Sequence, residues 1–151
     1  STFWSFLISV GTLIFADFVW LGVIIRPFYQ RELGSLMREG SLIWWSAALV
    51  YLLMAIGITY FVLPRITTTS SMLAIFLTGA LFGLVLYGVY DFTNFSFIKG
   101  YSWRFLVVDI VWGTFACGLA TVVTYFFVDI LEDKRILTKS PISDKKHGPQ
   151  L

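Results

Sequence analysis

One cysteine and one histidine are all that this chain of 151 residues holds of either type. Cys117 lies inside an apolar run, so no intrachain disulfide is possible and the thiol carries no information about redox compartment. His147 sits in a polar C-terminal stretch, which removes most metal-site, Ser-His and Cys-His chemistry. Charge is equally scarce. Only 13% of residues are Asp, Glu, Lys or Arg, where soluble domains run near a quarter, and the net charge of +2 gives no nucleic-acid signal. No nucleophile elbow and no Gly-rich phosphate loop occurs.

What fills the chain instead is apolar and aromatic. Hydrophobic residues make up 58%, aromatic ones 19%, and the mean hydropathy is +0.81. Four continuous runs are each long enough for a transmembrane helix of about 20 residues: 3–25, 42–63, 71–90 (or 94) and 105–131. A β-barrel would show alternating segments of about 10 residues, which these are not. The expectation is an all-α integral membrane four-helix bundle, up-down-up-down, over residues 1–131. A solvated, partly disordered polar tail follows over 132–151. Arg26-Pro27 and Pro64-Arg65 end the first two runs, since proline disfavours helix in the residue before it. The first run lacks a basic leader and a small-residue cleavage site, and reads as a retained span.

Four spans put both termini on one side, with the 26–41 and 95–104 connections on the other, here called side X. Basic residues divide almost evenly between the two, the tail tipping the termini toward the cytoplasmic side or its equivalent.

Three carboxylates, Asp17, Asp91 and Asp109, lie within or at the edge of the spans. A charge at the membrane centre costs about 2.5–3.5 kcal/mol on insertion scales, so such residues face a bundle interior and pair, or stay protonated. Asp17 lies roughly 12 Å inside the end of the first helix at 1.5 Å per residue. Asp91 closes the third helix and Asp109 opens the fourth, so all three lean toward side X. An internal echo accompanies them. Asp17-x-x-Trp20 and Asp109-x-x-Trp112 each place an acid and an indole on one helix face, on antiparallel helices as in inverted repeats. The set Asp17, Trp20, Tyr87, Asp91, Asn94, Lys99, Asp109 and Trp112 is the candidate ligand- or ion-binding pocket. The bland alternative is that these groups only tie helices together. Gly79-x-x-x-Gly83 reads as internal packing or a dimer seam.

These motifs carry a family resemblance. Asp17-x-x-Trp20-Leu21-Gly22 is followed by Phe28-Tyr29, Leu33-Gly34, Tyr51, Gly57, Phe61-Val62, Pro64, Gly79 and Gly83. Then come Tyr90-Asp91-Phe92-Thr93-Asn94, Lys99-Gly100 and Asp109-x-x-Trp112-Gly113. Over 13–118 the chain resembles the bacterial predicted-membrane-protein family catalogued as domain of unknown function 2177. It departs from the family at Phe92, usually Leu, at 101–103, usually holding Trp-Pro, and at Leu42-Ile43-Trp44, often Pro-Asn-Trp. The resemblance implies a four-helix membrane protein with these polar positions and no assigned activity.

Three function classes remain. First is a non-enzymatic accessory or ligand-binding subunit of a larger membrane assembly. The alternative is a small proton- or cation-coupled transporter, and third comes an enzyme acting on a lipid or other amphiphile. No catalytic residue, metal site or cofactor is assigned, though the aromatic surface suits a bound lipid or hydrophobic pigment. The expected partners are membrane lipids and other membrane-protein subunits or a second copy, with no nucleic acid.

Overall fold

The computed structural model describes residues 2–40 and 42–139, and these are all-helical with no strand among them. Helix α1 covers Thr2–Val19 and continues as a π turn over Trp20–Ile24. A short helix α2 follows over Arg26–Leu33. Helix α3 runs Trp44–Gly57, with a second π turn at Ile58–Val62 and a 3-10 turn at Leu63–Arg65. Helices α4, Met72–Phe97, and α5, Trp103–Lys139, complete the bundle. Four of these helices are long and apolar enough to span a membrane: Thr2–Ile24, Trp44–Arg65, Met72–Phe97 and Trp103–Arg135.

The boundaries have local causes. Pro27 stands in the first turn of α2, where its missing N–H costs nothing, so it begins a new helix besides ending the old one. Ser71 caps α4 by accepting from the Ala74 amide at 3.1 Å. Ser102 caps α5 in the same way, from the Phe105 amide at 3.2 Å. Helix α5 continues past the expected boundary at residue 131, because no proline or glycine interrupts it before Lys139. The rest of the expected tail, with His147, lies outside the described residues.

Side-chain pairs fix the helix directions. Ser9 meets Thr124 and Asp17 meets Trp112, so α1 and α5 are antiparallel. Gly79 lies against Thr121 and Gly83 against Gly113, so α4 and α5 are antiparallel too. Leu13 packs with Met54 and Ile58, and Asp17 bonds Tyr51, which sets α3 against α1. The order is up-down-up-down.

Gly79 and Gly83 face α5, where an added Cβ would run into Thr121, the Cys117 carbonyl and the Gly113 carbonyl. The small-xxx-small pattern is therefore used inside the chain, for close approach of α4 to α5. Midway along the bundle Leu13, Met54, Ile58, Cys117 and Ala120 form a buried apolar cluster, flanked by Phe82, Tyr51 and Tyr87. Beyond it, away from Asp17, the buried polar groups are hydroxyls: Ser5, Ser9, Thr59, Thr121 and Thr124.

Candidate functional site

Each acid of the site comes from a different spanning helix, Asp17 from α1, Asp91 from α4 and Asp109 from α5. Their burial differs. Asp91 is 0% exposed and Asp109 8%, while Asp17 is only half-buried. The depth of Asp17 along its helix singles it out in the sequence, but packing encloses the other two more fully.

The acids are held by aromatic donors. Tyr51 Oη donates to Asp17 Oδ2 at 2.7 Å, and Trp112 Nε1 donates to Asp17 Oδ1 at 2.8 Å. Tyr29 Oη donates to Asp109 Oδ1 at 3.1 Å, and itself accepts from Trp20 Nε1 at 3.1 Å. Tyr101 Oη donates to Asp91 Oδ1 at 2.6 Å. The carboxyl groups of Asp91 and Asp109 are within hydrogen-bonding reach of each other.

Ring packing sets these donors in place. Trp20 and Trp112 stack, their centroids 4.4 Å apart. Phe105 takes the edges of Tyr29 and Tyr101, at 4.9 and 5.5 Å. The π turn beginning at Trp20 widens the helix where the indole leaves α1, a device often found at functional sites. Helix α2 is tied over α5 by Ser102, whose hydroxyl donates to Glu32 Oε2 at 2.5 Å. Gly100, at φ +83°, makes the turn that precedes Tyr101, a conformation favouring glycine.

Tyr29 and Tyr101 lie outside the spans, and both phenols are pushed above their ordinary value of 10.0. The larger cause is burial; the neighbouring carboxyls, Asp109 and Asp91 respectively, add to it. Both hydroxyls are therefore protonated donors at neutral pH.

Cations stay away. Among the described residues none forms an ion pair with Asp17, Asp91 or Asp109. Arg31 pairs with Glu32 at 3.8 Å, Arg104 lies over the Trp103 ring, and Lys99 is exposed in the α4–α5 turn. Among the described residues no group of three or more His, Cys, Asp or Glu converges as a metal-ligand set.

Of the eight residues singled out by sequence, Asp17, Trp20, Asp91, Asp109 and Trp112 join this network directly. Asn94 lies beside Tyr90 and Tyr101 at its margin. Tyr87 packs its ring on Gly113 beside the apolar cluster. Lys99 is not brought to the acids. Three donors were not among the eight: Tyr29, Tyr51 and Tyr101. All three stand in or next to motif positions of the family resemblance, which is the signal that could have found them.

A groove opens on the outer face of α4 beside this network. It has a volume of about 420 Å³ and is lined by Leu86, Val89, Tyr90, Thr93 and Asn94. Its walls are apolar at one end and carry a hydroxyl, a phenol and an amide at the other.

The family described as Predicted membrane protein (DUF2177) matches residues 2–126. The chain belongs to the DUF2177 family. The match extends further toward both ends than the motifs alone, taking in all of α1 and most of the spanning part of α5. Comparison with curated proteins gives no match, and comparison with solved structures gives none. The DUF2177 match establishes a predicted membrane protein with four apolar helices, and the polar network gives that membership a definite set of side chains.

Proposed function

We propose that this DUF2177 protein is a non-enzymatic, ligand-binding accessory subunit of a larger membrane assembly, and that its ligand is an amphiphile held at side X. The observation that carries the reading is the α4 groove. Leu86 and Val89 offer an apolar wall to an acyl chain or ring system, while Tyr90, Thr93 and Asn94 offer hydrogen bonds to a polar head. All five residues come from α4 and most are exposed, so the site is an open face where the apolar part of a ligand would also meet the surrounding lipid.

The aromatic content supports the subunit role. Of the fifteen Phe, seven Tyr and six Trp, all but Phe28, Tyr29 and Tyr101 stand on the four spans, and Trp44, Trp45, Phe61, Phe92 and Phe97 all face outward. Such faces pack against lipid or against neighbouring helices. In this reading the chain termini face the cytoplasmic side or its equivalent.

Extraction in mild detergent followed by a native gel and mass spectrometry of the band tests the proposal. The expected result is migration in one stoichiometric assembly with a larger partner. Migration as a bare monomer or dimer would remove the accessory role.

The juxtaposed carboxyls of Asp91 and Asp109 favour a second reading, a proton-coupled transporter. The apolar cluster from Leu13 to Ala120 separates these acids from the buried hydroxyls beyond it, so transport would need that layer to open. Proton flux in vesicles reconstituted with the purified protein distinguishes this reading, which predicts flux above that of protein-free vesicles.

A further inference from the structure

We infer that Asp91 and Asp109 form a proton-binding site, in which the two carboxyl groups hold a single proton between them. Asp91 is fully enclosed, and its Oδ1 takes the Tyr101 hydroxyl. Its Oδ2 receives no N–H or O–H donor among the described residues, although it is shut away from solvent. An acceptor left in that state is expensive, and an ionised one more so. The Asp109 side chain, nearly as buried and with Tyr29 as its donor, lies beside that of Asp91.

Two carboxylates cannot both stay ionised in contact at low dielectric. One proton relieves the repulsion and supplies the donor that the pair lacks, leaving one negative charge for Tyr29 and Tyr101 to stabilise.

Among the described residues no cation faces the pair to neutralise a second charge. The titratable groups facing the pair are Asp17 from α1, Tyr29 from α2, Tyr87 and Tyr90 from α4, and Tyr101 from the α4–α5 turn. All are acids or phenols. No third carboxylate joins to complete a metal-ion shell among the described residues, which favours a proton over a cation. The two phenols that close the pair, Tyr29 and Tyr101, come from segments outside the spans on side X, so the proton exchanges with that side. The inference holds whether or not an amphiphile occupies the α4 groove.

Infrared difference spectroscopy of the full-length protein, titrated with acid and base in sodium-free and sodium-containing buffer, tests it. The expected result is the carbonyl stretch of one protonated carboxylic acid per chain at neutral pH, unaffected by sodium. That band should be shifted or lost in both Asp91→Asn and Asp109→Asn and retained in Asp17→Asn. The wild-type spectrum alone decides if a variant does not fold. No protonated carboxyl at neutral pH, two per chain, or a band displaced by sodium would each overturn the shared proton. So would a band that survives in both Asp91→Asn and Asp109→Asn.

Discussion

Trp20 and Trp112 stack with their ring planes 1° apart, and each indole serves the acid of the opposite helix. Trp112 bonds Asp17 directly, while Trp20 reaches Asp109 through the Tyr29 hydroxyl. The two Asp-x-x-Trp segments are thus crossed, and the stack is the joint between α1 and α5. Aromatic pairs of this kind contribute about 0.5–1.5 kcal/mol beyond area burial. A double-mutant cycle on Trp20→Leu and Trp112→Leu, read by unfolding in mixed detergent micelles, should show coupling of about that size. Additive losses would mean that the stack contributes no interaction of its own.

Tyr51→Phe removes one of the two donors to Asp17 and leaves the ring in place. Side-chain hydrogen bonds in membrane proteins contribute about 0.6 kcal/mol on average, up to about 1.7. The expected loss lies in that range, measured by the same unfolding assay.

Gly83→Ala should destabilise by about 1–3 kcal/mol, because its methyl meets the Gly113 carbonyl and the Cys117 side chain. Gly88→Ala, with nothing within 4 Å of its new methyl, should change stability by no more than about 0.5 kcal/mol. Neither substitution should alter oligomeric state, since the close approach at Gly83 is within the chain. Unfolding assays and size-exclusion chromatography check the pair.

Alkaline pH should act through Tyr29 and Tyr101. Their folded-state values are raised, so the stability they contribute is fully present below the unfolded value near 10. It is lost as pH rises through the folded values. Ultraviolet titration should show Tyr29 and Tyr101 among the tyrosines that resist ionisation beyond the ordinary range until the fold gives way. Tyr29→Phe and Tyr101→Phe should each remove one of them.

The spans were legible in the sequence because apolar runs of this length have few other uses, and the ends moved only by a few residues except at α5. The two Asp-x-x-Trp pairs were legible from their i, i+3 spacing. Helix α2 was not: eight residues, mostly polar, give no periodic signal, and it is held by Tyr29 on Asp109 of α5 and by Glu32 on Ser102, the cap of α5. Tyr51 and Tyr101 carry no local mark of their role either, since the acids they serve are 34 and 10 residues away. Lys99 stood close to Asp91 in the chain, yet a turn with Gly100 leaves it exposed. Proximity in sequence is a poor guide to pairing across a turn.

Native mass spectrometry of the mildly extracted protein, wild type beside Val89→Trp, is the direct test of an amphiphile on the outer face of α4. Trp at this exposed position fills the α4 groove without entering the core. The wild type should carry a bound amphiphile, and the folded variant should have lost it. Equal bound mass in both proteins, or none in the wild type, would contradict that placement.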